Sequence, residues 1–118
     1  LTDSRILAEK VASAASEKKG NDIVLLNLQG ISLIADYFVI VSAGSTTQVK
    51  AIADNILKKL KDGNILPLSR EGYQAGQWIL LDYGEVVAHV FLNEQRQFYD
   101  LERLWGDAAA ETFMDSQK

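Results

Sequence analysis

The stretch Trp78–Phe91, WILLDYGEVVAHVF, constrains the fold of this chain more than any other. It reads as two apolar strands joined by a tight turn. With Tyr83-Gly84 as the two loop residues, Gly84 supplies the positive φ that such a turn needs. Counting outward from that loop, Asp82 faces Glu85, Leu81 faces Val86, Leu80 faces Val87, Ile79 faces Ala88 and Trp78 faces His89. Alternation along the strands sorts the side chains onto two faces. Ile79, Leu81, Val86, Ala88 and Val90 make one face, wholly apolar, which is expected in the core. Trp78, Leu80, Asp82, Glu85, Val87, His89 and Phe91 make the other. That face mixes large apolar groups with carboxylates and the chain's one histidine, so its destination decides what the protein does.

The 118 residues fit one domain. Leu7, Ala8, Val11, Ala12, Ala14 and Ala15 form a stripe at helical spacing, with Thr2, Asp3 or Ser4 as the cap. Lys18-Lys19-Gly20 closes it, with Gly20 as the left-handed residue. Ile23–Leu28 and Tyr37–Val41 read as strands buried on both faces. Ser45 and Gln48 have capping-box spacing. They open a helix over 46–61 whose apolar face is Val49, Ile52, Ala53, Ile56, Leu57 and Leu60. Pro67 restricts any strand over 64–68 to a sheet edge, and 69–77 reads as a loop. A last helix starts at Asn93 or Glu94, places Phe98, Leu101, Leu104 and Trp105 on one side, and stops at Gly106. Residues 107–118 are expected to be a loosely held tail, or to dock only by Phe113 and Met114, leaving a single α/β domain over 1–106.

The inventory for catalysis is thin. There is no cysteine, so thiolate metal sites and disulfides are excluded. His89 has no nucleophile or carboxylate opposite it in the counted register, which favours a structural or interfacial role over general-base catalysis. Gly44-Ser45 before a helix offers backbone N–H groups to a phosphate. It lacks a P-loop or dinucleotide pattern, so a plain helix cap is preferred. A nucleotidyltransferase would also need closely spaced carboxylates on one strand. Asp82 and Glu85 sit instead at the mouth of a turn. Net charge is −4, with +1 over residues 1–81 and −5 over 82–118. An acidic C-terminal third suits a basic protein partner better than direct nucleic-acid binding. No apolar run approaches the roughly 20 residues of a membrane span, and the lack of an Arg- and Ser-rich leader leans towards a bacterial cytoplasmic setting. From the residues alone, the mixed hairpin face is either an exposed interaction site or a layer covered by the chain's own helices.

Three stretches, IADYFVIVSAGSTTQVKAIAD at 34–54, GQWILLDYGEVVAHVF at 76–91 and FYDLERLWGDA at 98–108, together resemble the ribosomal silencing factor, or Iojap, family. The resemblance runs from about Leu7 to Ala108. It implies a mixed sheet of about five strands with helices packed on it. This architecture is nucleotidyltransferase-like but lacks the catalytic acids, and it has no enzymatic activity and no cofactor. It further implies binding to the large ribosomal subunit through large-subunit ribosomal protein fourteen. That contact would sterically block subunit joining and repress translation when nutrients are scarce. A homodimer is implied in isolation. Of the family's characteristic residues, Asp36 and Ser45 read as turn and cap residues, and Phe38, Leu101 and Leu104 as structural ones. Trp78, Leu80, Asp82, Tyr83, His89 and Phe91 are expected to make the partner contact, flanked by Tyr99, Asp100 and Glu102. The alternative is a nucleotide-binding or residual nucleotidyltransferase module near Ser45, Asp82 and Glu85.

Overall fold

In the computed structural model, which describes residues 3–114, the two most apolar strands lie side by side and parallel. Strand β2 (Tyr37–Ala43) pairs with β5 (Val86–Leu92) from Tyr37↔Val86 to Ala43↔Leu92. Parallel neighbours need a crossover connection, and here it contains helix α2 (Thr46–Asp62) and strands β3 (Ser69–Glu71) and β4 (Trp78–Asp82). Helix α1 (Ser4–Glu17) and strand β1 (Asn21–Asn27) precede β2. Helix α3 (Asn93–Tyr99), the single turn α4 (Leu101–Leu104) and strand β6 (Ala109–Thr112) follow β5. The sheet runs β3-β4-β5-β2-β1-β6 and is antiparallel everywhere except between β2 and β5. It is the expected mixed α/β sheet, with six strands where about five were anticipated.

Both long helices cover one face. Val49, Ile52, Ala53, Ile56 and Leu60 of α2 meet Ile79, Leu81, Val86, Ala88 and Val90 of the hairpin in one buried cluster. Small residues of α1, among them Ala8, Ala12 and Ala15, complete it. The two helices are pinned together by Asn55, whose Nδ2 donates to Ala14 O (2.8 Å) and Glu17 Oε1 (2.9 Å). The end of α1 differs from expectation. Lys19, not Gly20, is left-handed (φ 61°), and the Gly20 and Lys19 amides bond back to Ala15 O and Ser16 O in a Schellman arrangement. Gly20 is needed for space instead, because a Cβ there would lie 2.3 Å from Val41 Cγ2. Gln48 also departs from the capping box. Its amide N–H bonds the Ser45 hydroxyl (3.2 Å), but its side chain donates to Lys18 O and Lys19 O, tying the start of α2 to the end of α1.

Four other expectations are corrected. Tyr83 N donates to Val86 O, so the central turn residues are Gly84-Glu85, one step later than counted. Gly84 has φ 87°, and Asp82 Oδ1 accepts from its N–H at 2.8 Å. Glycine at the first central position fits a II′-type hairpin, whereas the counted loop placed it second. Each β4 residue therefore faces a partner two positions further on: Trp78↔Phe91, Leu80↔His89 and Asp82↔Val87. A shift of two preserves parity, so both predicted faces survive. Residues 69–71, read as loop, form the edge strand β3, just after Pro67. The last helix breaks at Asp100, which is left-handed (φ 49°). The break takes Phe98 and Leu104 off the expected stripe, leaving them 80% and 72% exposed, while Leu101 is buried. Finally, Ala109–Thr112, placed in the tail by the sequence, pairs with β1 and is held by an Arg5–Glu111 ion pair (2.6 Å). Phe113 packs on the main cluster, and Met114 is exposed.

Gly20→Ala should destabilise the fold by about 2 kcal/mol through overpacking against Val41. Urea denaturation of the two proteins measures it.

Candidate functional site

The opposite face of the sheet has less to cover it. Two turns of α3, which bury no residue, and the one turn of α4 are all the helix it receives. Leu101 of α4 joins Leu26, Leu28, Ile40 and Phe91 in a second, smaller cluster there, with Phe38, Trp78, Trp105 and Ala108 partly buried around it. Towards β4 and β3 the cover runs out. Trp78, Leu80 and Asp82 are partly exposed there. Glu71, Gly72, Trp78 and Leu80 line a shallow depression of about 240 Å³.

An aromatic nest underlies this open part. The His89 ring meets Phe38 edge-on at 4.5 Å and lies nearly parallel to Phe91 at 6.1 Å. Trp78 packs on Phe91 at 4.8 Å and on Tyr99 at 4.6 Å. Although Trp78 and His89 are not directly opposite, the indole reaches diagonally across the strands, and Nε1–H donates to His89 Nδ1 at 3.1 Å. The Nε2 atom is buried and has no hydrogen-bond partner among the described residues. Burial lowers the His89 pKa to about 4, so the imidazole is neutral near pH 7.

The nine residues anticipated for a contact divide by burial. Trp78, Leu80, Asp82 and Tyr99 present surface. Phe91 is fully buried and His89 only 4% exposed, so both support the surface from beneath. Tyr83 belongs to the helix-covered core; burial raises its pKa to about 12, and its hydroxyl has no hydrogen-bond partner among the described residues. The backbone of Asp100 makes the helix junction. Glu102 is engaged by Arg96 (2.8 Å). The sequence reading missed Arg96. Its guanidinium also donates to Asn21 O (3.2 Å) and Ser42 Oγ (3.1 Å), joining α3 to β1, β2 and α4 across a polar cleft of about 710 Å³. Residues 96 and 102 are six apart. No continuous helix brings such a pair together, so the spacing carried no signal.

The acids proposed for a nucleotidyl site do not converge. Asp82 caps the turn amide, Glu85 is an exposed turn residue, and Ser45 caps α2. Among the described residues no cluster of three or more His, Asp or Glu has metal-binding geometry.

Residues 2–118 match the family model described as ribosomal silencing factor during starvation. This chain belongs to that family. It is 45% identical over 100 residues to ribosomal silencing factor RsfS of Bacillus subtilis, covering 84% of this chain and 85% of that protein. It is 35% identical over 101 residues to chloroplastic protein Iojap of Zea mays, covering 86% of this chain and 44% of that longer protein. A crystal structure of a Chromobacterium violaceum protein superposes with TM-score 0.87 at 30% identity, over 99% of this chain and 98% of that one. One from Bacillus halodurans gives 0.82 at 37%, over 92% and 99%. The ribosomal silencing factors are non-enzymatic, and the chain is not an enzyme. No helix among its described residues is long and apolar enough to cross a membrane.

In this silencing factor, the lowered His89 pKa links stability to pH. The unfolded imidazole titrates near 6.5 and the folded one near 4, so the unfolded state binds more protons between them. The contribution is complete above pH 6.5 and is lost as pH falls towards 4, up to about 3 kcal/mol. Urea melts at pH 7 and pH 4 should show this loss, and His89→Phe should remove that component.

Proposed function

We propose that the half-covered face of β4 and β5 holds the large ribosomal subunit through large-subunit ribosomal protein fourteen, and that the bound chain sterically blocks docking of the small subunit. The observation that carries this reading is the partly exposed Trp78–Leu80–Tyr99 surface over a rigid aromatic nest, in a chain of the ribosomal silencing family. Interfaces draw most of their affinity from a few aromatic or aliphatic anchors set in well-packed surroundings. Trp78 and Leu80 have that form. Glu71 lines the depression and Asp82 lies on the same side of β4 as Trp78 and Leu80, and both supply charge that a basic partner would complement. Repression then needs no chemistry. It needs a stable complex whose bulk lies where the small subunit must approach.

The chain's self-association in isolation is part of the same reading. The nucleotide-binding alternative draws no support from Ser45, Asp82 or Glu85, each of which has a local structural use or stands apart from the others.

Leu80→Asp places a charge in the patch without altering the helix-covered core. It should weaken retention on isolated large subunits at least about tenfold, since a desolvated aliphatic anchor is replaced by a carboxylate. Far-UV circular dichroism should be unchanged. Co-sedimentation with separated subunits and with intact ribosomes measures the effect: the unaltered protein should be retained on free large subunits alone. Unchanged retention of the variant would remove the patch from the interface. Light scattering of the same variant tests whether self-association uses this face.

A further inference from the structure

We infer that His89 is a positioning residue, whose Nδ1 holds the Trp78 indole in the orientation that the partner contact requires. This rests on the proposed role of the Trp78–Leu80 face and deepens it.

Packing alone does not account for an imidazole at position 89. The side chain is 4% exposed and lies among Phe38, Trp78 and Phe91. A phenyl ring, planar and apolar, would suit that aromatic nest without bringing a buried polar atom. The imidazole instead carries a liability. Because Nδ1 accepts from Trp78, the proton of the neutral ring belongs on Nε2. Nε2 is buried with no hydrogen-bond partner among the described residues, and a buried donor without an acceptor is destabilising. The fold tolerates that donor at the one site where the other nitrogen meets the indole N–H. The acceptor at Nδ1 is thus the single property that histidine adds and phenylalanine lacks.

The geometry shows what the acceptor does. Trp78 stands directly opposite Phe91, and His89 opposite Leu80. The indole leans along the strand to His89, 3.1 Å from N to N, while its ring remains on Phe91 and against Tyr99 of α3. A directional bond beneath and two ring contacts fix the plane of a side chain that is itself partly exposed. Without the bond, ring contacts alone remain, and these tolerate several orientations. Pre-organising an anchor of this kind lowers the ordering cost of binding. His89 therefore acts on the partner through Trp78, without touching it.

The test sets two replacements against each other. His89→Phe keeps the aromatic volume and loses the acceptor. His89→Asn keeps an acceptor at the δ position and loses ring volume. Thermal melting and retention on isolated large ribosomal subunits are measured for both and for the unaltered chain. ¹⁵N-edited NMR follows exchange of the Trp78 indole N–H. His89→Phe should melt at the same or a higher temperature, yet bind about tenfold more weakly, with a fast-exchanging indole. His89→Asn should melt lower, yet bind more tightly than His89→Phe, with a protected indole. Affinity would then follow the acceptor and not the stability. Binding by His89→Phe equal to that of the unaltered chain, or affinities that simply follow the melting temperatures, would overturn the inference. Should the unaltered chain fail to bind large subunits, the proposed function fails. The positioning role is then decided by the indole alone, and exchange as fast in the unaltered chain as in His89→Phe would overturn it.

Discussion

The parallel pairing of β2 with β5 sets the terms for the rest of the molecule. Antiparallel neighbours can be joined by a short turn, but these two cannot. The crossover carries α2 over one face of the sheet, and α1 packs beside it through small residues at close approach. That face is sealed by 31 helical residues in two helices. The same connection returns through β3 and β4, which extend the sheet beyond β5. Only the segment after β5 remains to cover the other side, and it is short and broken at Asp100. The half-open face is thus a consequence of topology, and the proposed recognition surface lies where cover is missing.

An open apolar face needs rigidity beneath it if it is to bind selectively. Here the rigidity comes from packed aromatic groups on three adjacent strands: the partly buried Phe38 on β2 and Trp78 on β4, and the buried His89 and Phe91 on β5 between them. Arg96 does similar work at the other end of the face, where its guanidinium joins two strands and the turn α4. Most of the polar groups in these places are used up locally. Glu102 is held by Arg96, Asp82 caps the turn, and Ser45 caps α2. That local use separates this site from an enzyme's, in which such groups would converge on a reacting atom.

Much of this was legible in the chain. The two-residue period of strands assigned each hairpin side chain to its face, and an error of one residue in the turn left that assignment intact because it moved the register by two. The α2 stripe and its Ser45 cap were equally local signals. The last helix misled for a physical reason. Phe98, Leu101, Leu104 and Trp105 have helical spacing, but one left-handed residue between them rotates the second half away, and asparaginyl or aspartyl side chains tolerate that conformation. Strand β6 was missed because its residues are all exposed, so no apolar alternation marks it.

What the sequence determined alone is therefore whatever depends on neighbours along the chain: strand parity, helix faces, caps, and the family to which three ordered stretches pointed. The tertiary structure decided which residues of the mixed face are surface and which are support. Phe91 and His89 share strand parity with Trp78 and Leu80, yet they are buried because they lie on an inner strand, while Trp78 and Leu80 lie nearer the sheet's edge. Sheet order, the diagonal bond from Trp78 to His89, and the pairing of Arg96 with Glu102 across a helix break join residues whose spacing has no period. Such contacts arise only when elements pack, which is why the face was readable in the sequence and its division into exposed and supporting residues was not.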